Sequence, residues 1–303
     1  MSTMKRFLKS CIVFVLPIVL TVAALELLLR SLPNTYKYKY EWMKANAEKV
    51  ETIILGNSHT FYGIRPQYLS GNAFNMANSS QGLREDVFLL EYYREKYRHL
   101  KTVIVPIAYY SLFWIELEND VEWYRERYYK MYMDYDRHSD LSIYNFEMTH
   151  RTSALNKLKT LSKNVGCEPL GSGLLSYNSG TLSDGLSHVK RHEAMSNIDD
   201  LHNMDYLKEI IHFCKSYDIM LVLITTPCWH TYYENVNQQQ ITKMYELIKQ
   251  IQMDYNVPYL DYLKDNRFVS EDFADPQHLS DNGAEKFTKI LQQTIDSLGI
   301  LQN

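Results

Sequence analysis

The stretch Thr52-Ile53-Ile54-Leu55-Gly56-Asn57-Ser58-His59-Thr60 decides the fold of this chain. Its short apolar run indicates a buried β-strand, and Gly56 marks the point where the strand ends. The strand then presents Ser58 at its tip. A Gly-x-Ser sequence after a strand is also common in simple turns. The stretch therefore predicts a strand that ends at Gly56 and is followed by Ser58. It leaves open whether the serine has a catalytic role.

Apolar strands alternate with amphipathic helices on the C-terminal side of this stretch. The predicted strands cover residues 73–77, 102–108, 219–225 and 257–261, and the predicted helices cover residues 83–100, 201–217, 241–255 and 281–298. Strands that are apolar throughout and are joined by helices are typical of a parallel sheet with both faces covered. The pattern predicts a three-layer, flavodoxin-like α/β fold.

The segment from residue 111 to residue 197 does not follow this alternation. It is rich in tyrosine, serine and glycine, and glycines at positions 171, 173 and 180 indicate loops. We interpret it as an insertion beside the sheet, partly helical between residues 116 and 133. Two roles stay open for this insertion. It could form a lid or an acceptor-binding surface, or it could pack against the sheet without binding a ligand.

An apolar run over residues 10–29 follows the basic residues Lys5, Arg6 and Lys9. About 20 apolar residues match the thickness of a bilayer core, and the preceding positive charges favour a cytoplasmic N-terminus. This predicts a cytoplasmic tail (1–9), a single transmembrane anchor (10–30), a connector (31–50) and a main domain (51–303) outside the cytoplasmic membrane.

Two other interpretations of the apolar run stay open. Pro17 interrupts the run and Glu26 lies near its far end. A cleaved signal peptide with a weak site at Thr21-Val-Ala23 is one alternative, and a buried helix of a soluble domain is the other. The first alternative also places the main domain outside the cytoplasm.

Composition narrows the classes of partner. The 303 residues carry a formal net charge of −4 and contain no long basic run, which argues against nucleic acid as the main partner. The four cysteines form no CxxC pair, so the sequence does not predict a structural zinc site. Nothing in the pattern indicates a metal ion or an organic cofactor.

A second chemical element, Asp275-Pro-Gln-His278-Leu-Ser, comes directly before the last predicted helix. Ligands of open parallel sheets bind beyond the carboxyl ends of the strands, and both Ser58 and His278 follow strands. A serine becomes nucleophilic when an imidazole accepts its proton, and a carboxylate such as that of Asp275 can orient the imidazole. The sequence therefore predicts a Ser58–His278–Asp275 site for acyl transfer.

Other histidines near the predicted edge are weaker candidates. His230 follows the third strong apolar strand, and we predict that it either contacts substrate or lies on the rim of the pocket. Asp199-Asp-Leu-His202 repeats the Asp-x-x-His spacing. It opens a helix and follows no strand, so we interpret Asp199 or Asp200 as the helix cap.

The two terminal motifs resemble the SGNH, or GDSL-like, hydrolase superfamily over roughly residues 51–298. Gly56-Asn57-Ser58 is similar to its first block, and Asp275-x-x-His278 to its last. The N-terminal anchor, the Gly-Asn-Ser-His sequence and Ile64-Arg-Pro66 resemble a branch of membrane-anchored bacterial envelope proteins. That branch is related to O-acetyltransferases of exopolysaccharides and to the D-alanine transfer protein of teichoic acids.

The middle blocks depart from the superfamily pattern. Ser80 stands where the resemblance places the glycine that donates a backbone N–H to the oxyanion, and Gly82 follows two residues later. No asparagine stands in the third block, where Tyr110 or, from the other loop, Asn78 could donate instead. The resemblance implies an oxyanion and substrate site that includes these residues.

The resemblance implies an acyl-ester enzyme that acts on a cell-surface polysaccharide. The acyl group, acetyl by analogy, would pass through Ser58 to a sugar hydroxyl or to water, so transferase and esterase are both open. A multi-spanning acyltransferase that supplies acyl groups is the partner implied by this branch. An inactive scaffold or glycan-binding module on the same fold is the alternative from another class.

Overall fold

The computed structural model describes residues 3–114, 117, 122–135, 145–161 and 163–301. The chain divides into two compact units. The first unit comprises Met1–Tyr38 and Glu126–Val165, and the second comprises Lys39–Arg125 and Gly166–Asn303. The central part of the predicted insertion therefore groups with the N-terminal segment, whereas the rest of the insertion belongs to the unit that contains the sheet.

The second unit is built on a parallel sheet of five strands. The strands are β1 (Thr52–Ile54), β2 (Ala73–Asn75), β3 (Thr102–Pro106), β4 (Met220–Thr225) and β5 (Tyr259–Asp261), in the spatial order β2-β1-β3-β4-β5. Every pairing in the sheet is parallel. The strand order reverses between β1 and β3, which creates a topological switch point at the carboxyl ends of these two strands. The predicted α/β fold is confirmed.

Helices of the second unit flank the sheet. They are α3 (Ser58–Gly63), α4 (Leu83–Tyr93), α7 (Gly185–Ala194), α8 (His202–Ser216), α9 (His230–Tyr233), α10 (Gln238–Tyr255) and α11 (Asp281–Leu301). The first unit contains α1 (Thr3–Ser31), α5 (Glu126–Tyr132) and α6 (Arg151–Thr160), and the boundary between the units falls within α2 (Thr35–Asn46). Helix α4 packs against α8, and α3 packs against α11. These contacts fix the two elements that carry the chemical motifs, because α3 begins at Ser58 and α11 follows His278.

One core cluster joins the last helix to the sheet. Ile54 of β1, Ile104 of β3 and Val222 of β4 lie in this cluster together with Phe287 and Leu291 of α11, and all five side chains are fully buried. Residues two apart on a strand lie on the same face of the sheet, so Val222 and Ile224 of β4 both belong to this cluster. Burial of these side chains holds α11, and with it the preceding loop, against the sheet.

The N-terminal helix is long and apolar enough to span a membrane. Helix α1 covers Thr3–Ser31 and continues through Pro17, so the proline does not end the helix. Most of its large apolar side chains are exposed, which the interpretation as a buried soluble helix does not account for. The identity of the membrane, the orientation of the helix and the boundaries of the predicted domains stay predictions.

The carboxylate of Glu26 is satisfied within the first unit. It accepts hydrogen bonds from Arg30 Nε at 2.6 Å and from the backbone N–H of Glu147 and of Met148 at 2.9 and 3.2 Å. An unpaired carboxylate near an apolar environment would be costly, whereas a paired and hydrogen-bonded one is tolerated. The acidic residue near the end of the apolar run is therefore compatible with a membrane span that ends there.

The helical content of the insertion lies mostly outside the predicted range. Within residues 116–133, a 3-10 turn (Trp123–Arg125) and α5 are present, and residues 115–116 and 118–121 lie outside the described part of the chain. Helices α6 and α7 were not predicted. The helix predicted over residues 83–100 ends as α4 at Tyr93 and is followed by a 3-10 turn.

Candidate active site

The corner after β1 is shaped by Gly56 and Asn57. Gly56 has φ of +94°, and a Cβ atom there would lie 2.1 Å from Pro106 Cγ, so only glycine fits. Its N–H donates to Asp86 Oδ1 at 2.9 Å. Asn57 caps α3, because its Oδ1 accepts from the N–H of His59 at 3.0 Å. These contacts set Ser58 as the first residue of a short helix.

The structure brings the three predicted catalytic residues together. His278 Nε2 lies 2.8 Å from Ser58 Oγ, and His278 Nδ1 lies 2.8 Å from Asp275 Oδ2. Both are hydrogen-bond distances. With Nδ1 protonated and bonded to the carboxylate, Nε2 accepts the proton of the serine hydroxyl. The Ser58 hydroxyl, the His278 imidazole and the Asp275 carboxylate therefore have the geometry of a catalytic triad.

Asp275 is held as a carboxylate. Burial by itself would raise its pKa, but the hydrogen bond and charge of His278 and the backbone N–H of Gln277 lower the pKa to about 2. Its Oδ1 also accepts from the backbone N–H of His278 at 3.0 Å. These bonds fix the carboxylate in the orientation that supports the imidazole, and it stays ionised at neutral pH.

The triad opens into a cavity of about 280 Å³ at the carboxyl ends of the strands. Ser58 follows β1, Ser80 follows β2, Tyr110 follows β3 and His278 lies after β5, so four strand ends contribute to one wall. The further lining residues are Asn57, Tyr62, Ser79, Trp114, Glu122, Arg125, Leu175, Arg191, His192, Asp275 and Gln277. The cavity lies at the switch point of the sheet, where ligands of such folds usually bind.

Ser80 adopts a backbone conformation that favours glycine. Its φ is +59°, in the left-handed region, which is the conformation expected where the resemblance places a glycine. In the part of the chain that the structure describes, the backbone N–H groups of Ser58 and Ser80 have no hydrogen-bond acceptor. Both residues line the cavity, so two backbone donors are available there to a ligand oxygen.

The left-handed conformation of Ser80 predicts the sign of two substitutions. We expect Ser80→Gly to raise the free energy of unfolding by roughly 0.5–1 kcal/mol, because relief of strain exceeds the entropy cost of glycine. Ser80→Val should lower both stability and turnover, since a β-branched residue would shift the local backbone. Chemical denaturation of the purified protein measures the first effect.

Ser79→Gly provides the matched control, since Ser79 is not among the residues with positive φ. It should lower the free energy of unfolding, in the direction usual for glycine outside such positions. Equal and unfavourable effects of glycine at residues 79 and 80 would contradict a strained Ser80.

Comparison with known proteins gives similarities of fold. A family model matches residues 185–299, and no curated protein sequence matches the chain. Among solved structures, a lipase/acylhydrolase from Enterococcus faecalis is 12% identical, with a TM-score of 0.38 over 82% of this chain and 96% of that chain. A psychrotrophic esterase from Pseudoalteromonas sp. is 10% identical, with a TM-score of 0.42 over 84% and 99%. An aryl esterase of M. smegmatis is 11% identical, with a TM-score of 0.38 over 82% and 100%.

The structure places Ser58 directly after β1 and Asp275 and His278 directly before α11, the positions of the two terminal motifs on which the resemblance to SGNH hydrolases rests. The activities of the similar proteins do not follow from similarities at this level. Membership of the membrane-anchored branch stays a prediction.

Three residues predicted for the oxyanion or substrate site lie elsewhere. Asn78 is buried, and its Nδ2 donates to Gln81 Oε1 at 3.2 Å, within its own loop. The N–H of Gly82 donates to Glu85 Oε2 at 3.0 Å at the start of α4, which leaves no donor for an oxyanion. His230 begins α9 with an exposed side chain near Glu234. Among the described residues, none of these three lines the cavity.

His59 also lies away from the cavity. It is buried, and its Nδ1 lies 3.0 Å from Thr226 Oγ1. Burial, followed by the nearby His278, lowers the pKa of His59 to about 3, so the ring is neutral at physiological pH. The ring centroids of His59 and His278 lie 5.5 Å apart. His59 therefore packs behind the catalytic imidazole and does not act as the base for Ser58.

The predicted insertion supplies residues of the cavity wall that the sequence analysis did not name. His192 of α7 packs on Tyr110 with ring centroids 4.1 Å apart, and its Nδ1 lies 2.9 Å from Tyr232 OH. Glu122, Arg125 and Arg191 line the same cavity. The sequence of the insertion has no helical or strand periodicity around these residues, so it did not predict that they line the cavity. The one available signal was the break in the strand–helix alternation.

Proposed function

We propose that this protein is a serine-dependent acyl-ester enzyme that forms an acyl-enzyme on Ser58. The observation that carries the proposal is the continuous Ser58–His278–Asp275 chain, with 2.8 Å at each of its two links. The cavity next to Ser58 gives an ester access to the hydroxyl. An inactive scaffold has no need to keep both links at hydrogen-bond distance.

The first half-reaction transfers the acyl group to the enzyme. Ser58 Oγ attacks the carbonyl carbon of the ester while His278 Nε2 accepts its proton, and the carbonyl electrons move to the oxygen. Asp275 stabilises the imidazolium that forms. When the tetrahedral intermediate collapses, the alcohol leaves with the proton from His278, and the acyl group stays on Ser58.

Backbone donors stabilise the charged oxygen of this intermediate. The N–H groups of Ser58 and Ser80 line the cavity and have no acceptor in the described structure. Tyr110 takes the position of the third-block asparagine, and its hydroxyl lies 3.4 Å from Asn57 Nδ2. Each donor of this kind contributes about a hundredfold to a thousandfold to the rate in other serine enzymes.

In the second half-reaction, His278 deprotonates an acceptor that takes the acyl group from Ser58. We propose a sugar hydroxyl of a cell-surface polysaccharide as the acceptor and acetyl as the acyl group, with water as the competing acceptor. The N-terminal helix supports a domain tethered at the outer side of the cytoplasmic membrane. A multi-spanning acyltransferase would then deliver the acyl group across the membrane.

An acyl-partition experiment tests this function. The full-length protein in neutral detergent is incubated with a labelled acetyl ester and a panel of bacterial oligosaccharides, and the products are separated by mass. We expect acetylated oligosaccharide above the rate of acetate release without acceptor. Acetate alone would assign a hydrolase and reject the transferase proposal. No turnover and no labelling of Ser58 by a fluorophosphonate would reject both.

A further inference from the structure

Lys39 of α2 is a buried lysine that the acyl-transfer chemistry does not use. The residue is 0% exposed, and it does not line the cavity next to Ser58. Among the described residues, no carboxylate forms an ion pair or a hydrogen bond with its Nζ. An ammonium group without a carboxylate partner is costly to bury. The contacts that the Nζ atom makes therefore have to offset this cost.

The Nζ atom of Lys39 contacts two segments that adjoin the nucleophile. It donates a hydrogen bond to the carbonyl oxygen of Ala77, in the loop that follows β2. It also lies over the ring of Phe61, 4.4 Å from the ring centroid, where a cation is attracted to the aromatic face. Phe61 lies on α3, three residues after Ser58, and Ala77 comes three residues before Ser80. Lys39 therefore joins the two segments that present Ser58 and Ser80 to the cavity.

The Ala77–Asn78 peptide group connects Lys39 to the corner after β1. Its carbonyl accepts from Lys39, and its N–H, which belongs to Asn78, donates to the carbonyl of Gly56 at 3.1 Å. Gly56 comes two residues before Ser58. Hydrogen bonds in a chain of this kind polarise and strengthen one another. The chain from Lys39 to Gly56 holds the loop after β2 against the loop after β1.

Asn75 holds the other side of the Ala77 backbone. Its Oδ1 accepts from the N–H of Ala77 at 3.0 Å, and its Nδ2 donates to the carbonyls of Thr60 and Ile64 at 2.9 and 3.2 Å. The N–H and the C=O of Ala77 are therefore each bonded to a buried side chain. Asn75 belongs to β2 itself, whereas Lys39 comes from α2, within the segment that the sequence predicted to be a connector.

An apolar residue would fill this position without the cost of a buried charge. Burial lowers the pKa of Lys39 to about 7, which shows how poorly the site solvates an ammonium group. A methionine, however, would leave the Ala77 carbonyl without a donor, because the described structure offers it no other one. A buried carbonyl without a donor destabilises the conformation that buries it. The lysine is explained by the donor that it supplies to this loop.

We propose that Lys39 is a positioning residue of the oxyanion site, which holds the backbone N–H groups of Ser58 and Ser80 at the separation that binds the charged oxygen. This inference rests on the proposed acyl-ester function and adds a residue to it. Lys39 does not line the cavity, so it acts through Ala77 and Phe61. A misplacement of about 1 Å caused by a remote substitution can lower a rate by about a hundredfold.

Lys39→Met tests this role, because it keeps an unbranched apolar side chain and removes the donor. For the full-length protein in neutral detergent, kcat/KM for para-nitrophenyl acetate is measured per site titrated with a fluorophosphonate. We expect it to fall by about tenfold to a hundredfold, less than the loss of an oxyanion donor itself can cost. Lys37→Met is the matched control, since it removes the same charge from an exposed position of the same helix, and it should retain the wild-type value.

Two inhibitors separate positioning from a general loss of structure. With phenylboronic acid, Ser58 Oγ forms a bond to boron, its proton passes to His278, and boron takes the negative charge, so that a boron hydroxyl occupies the oxyanion site. Benzyl alcohol has a similar size and forms no adduct. In Lys39→Met, the inhibition constant of the boronic acid should rise by the factor by which kcat/KM falls, and that of benzyl alcohol should not change. An equal rise for both inhibitors, or an unchanged boronic-acid constant, would overturn the proposal.

Lys39→Gln is the second variant, because its amide retains an N–H donor on a shorter side chain. It should recover part of the kcat/KM that Lys39→Met loses, and the same two inhibitors give the decision from this variant if Lys39→Met does not fold. Wild-type protein without ester turnover and without binding of phenylboronic acid would reject the acyl-ester function and, with it, this role. Equal turnover in wild type and Lys39→Met would retain that function and overturn only the role of Lys39.

Discussion

Replacement of Ser58 by alanine is expected to reduce ester turnover by about 10⁴-fold or more and to abolish labelling by a fluorophosphonate. The Oγ atom is the one group that can form the covalent acyl intermediate, and it lies 2.8 Å from the His278 Nε2 that activates it. The measurement is turnover of a chromogenic acetyl ester, together with intact mass after treatment with the phosphonate.

The structure also provides the control for this substitution. Ser58 is the first residue of α3, and its side chain is bonded only to His278 in the described structure, so alanine should leave the melting temperature nearly unchanged. Ser297→Ala, on the exposed face of α11, should leave both labelling and turnover at the wild-type level. A phosphonate adduct that persists on Ser58→Ala would identify another nucleophile and remove the basis of the proposed mechanism.

Replacement of Asp275 by asparagine is expected to reduce kcat by about 10⁴-fold while the fold persists. The neutral amide cannot stabilise the imidazolium, and its NH₂ group favours the wrong tautomer of His278. Asparagine keeps the Oδ1 oxygen that accepts from the backbone N–H of Gln277 and His278, so the loop should stay intact. The measurement is kcat from pH 5 to pH 9, with the rate of phosphonate labelling as a second readout.

The pKa of Asp275 fixes the expected pH behaviour. Because it is about 2, the carboxylate is ionised across this whole pH range, and wild type should show no loss of activity from protonation of Asp275. Asp200→Asn is the matched control, since Asp200 Oδ1 pairs with His202 Nδ1 at 2.5 Å on the surface. A full loss of activity in Asp200→Asn, or its retention in Asp275→Asn, would contradict the assignment of the triad.

The two Asp-x-x-His sequences show how far local pattern can go. The spacing is the same at Asp199–His202 and at Asp275–His278. Sequence context separated them, because one opens a helix and the other follows a strand. In the structure, Asp200 accepts from the N–H of His202 and from its ring, and neither residue lines the cavity next to Ser58. The N-cap residue of α8 is Leu201, so neither aspartate is the cap, although Asp200 accepts from the N–H of the first helical residue, His202.

The oxyanion candidates show where local pattern fails. Ser80, Asn78 and Gly82 lie within five residues, and any of them could face the cavity after a strand. The choice depends on which backbone groups are already bonded. The N–H of Gly82 is hydrogen-bonded at the start of α4, and the side-chain amide of Asn78 is hydrogen-bonded within its own loop. Ser80 has a φ of +59°, and its N–H has no acceptor in the described structure. Such bonding is decided by long-range packing, which a single sequence does not display.

The sequence by itself determined the α/β class, the apolar N-terminal helix and the order of nucleophile, carboxylate and base along the chain. These features follow from local physics, since periodicity and glycine position act over a few residues. Only the tertiary structure decided the cavity wall, where Glu122, Arg125 and Arg191 come from an insertion without periodicity. Their meeting depends on contacts between residues up to 69 positions apart, for which no short-range pattern exists.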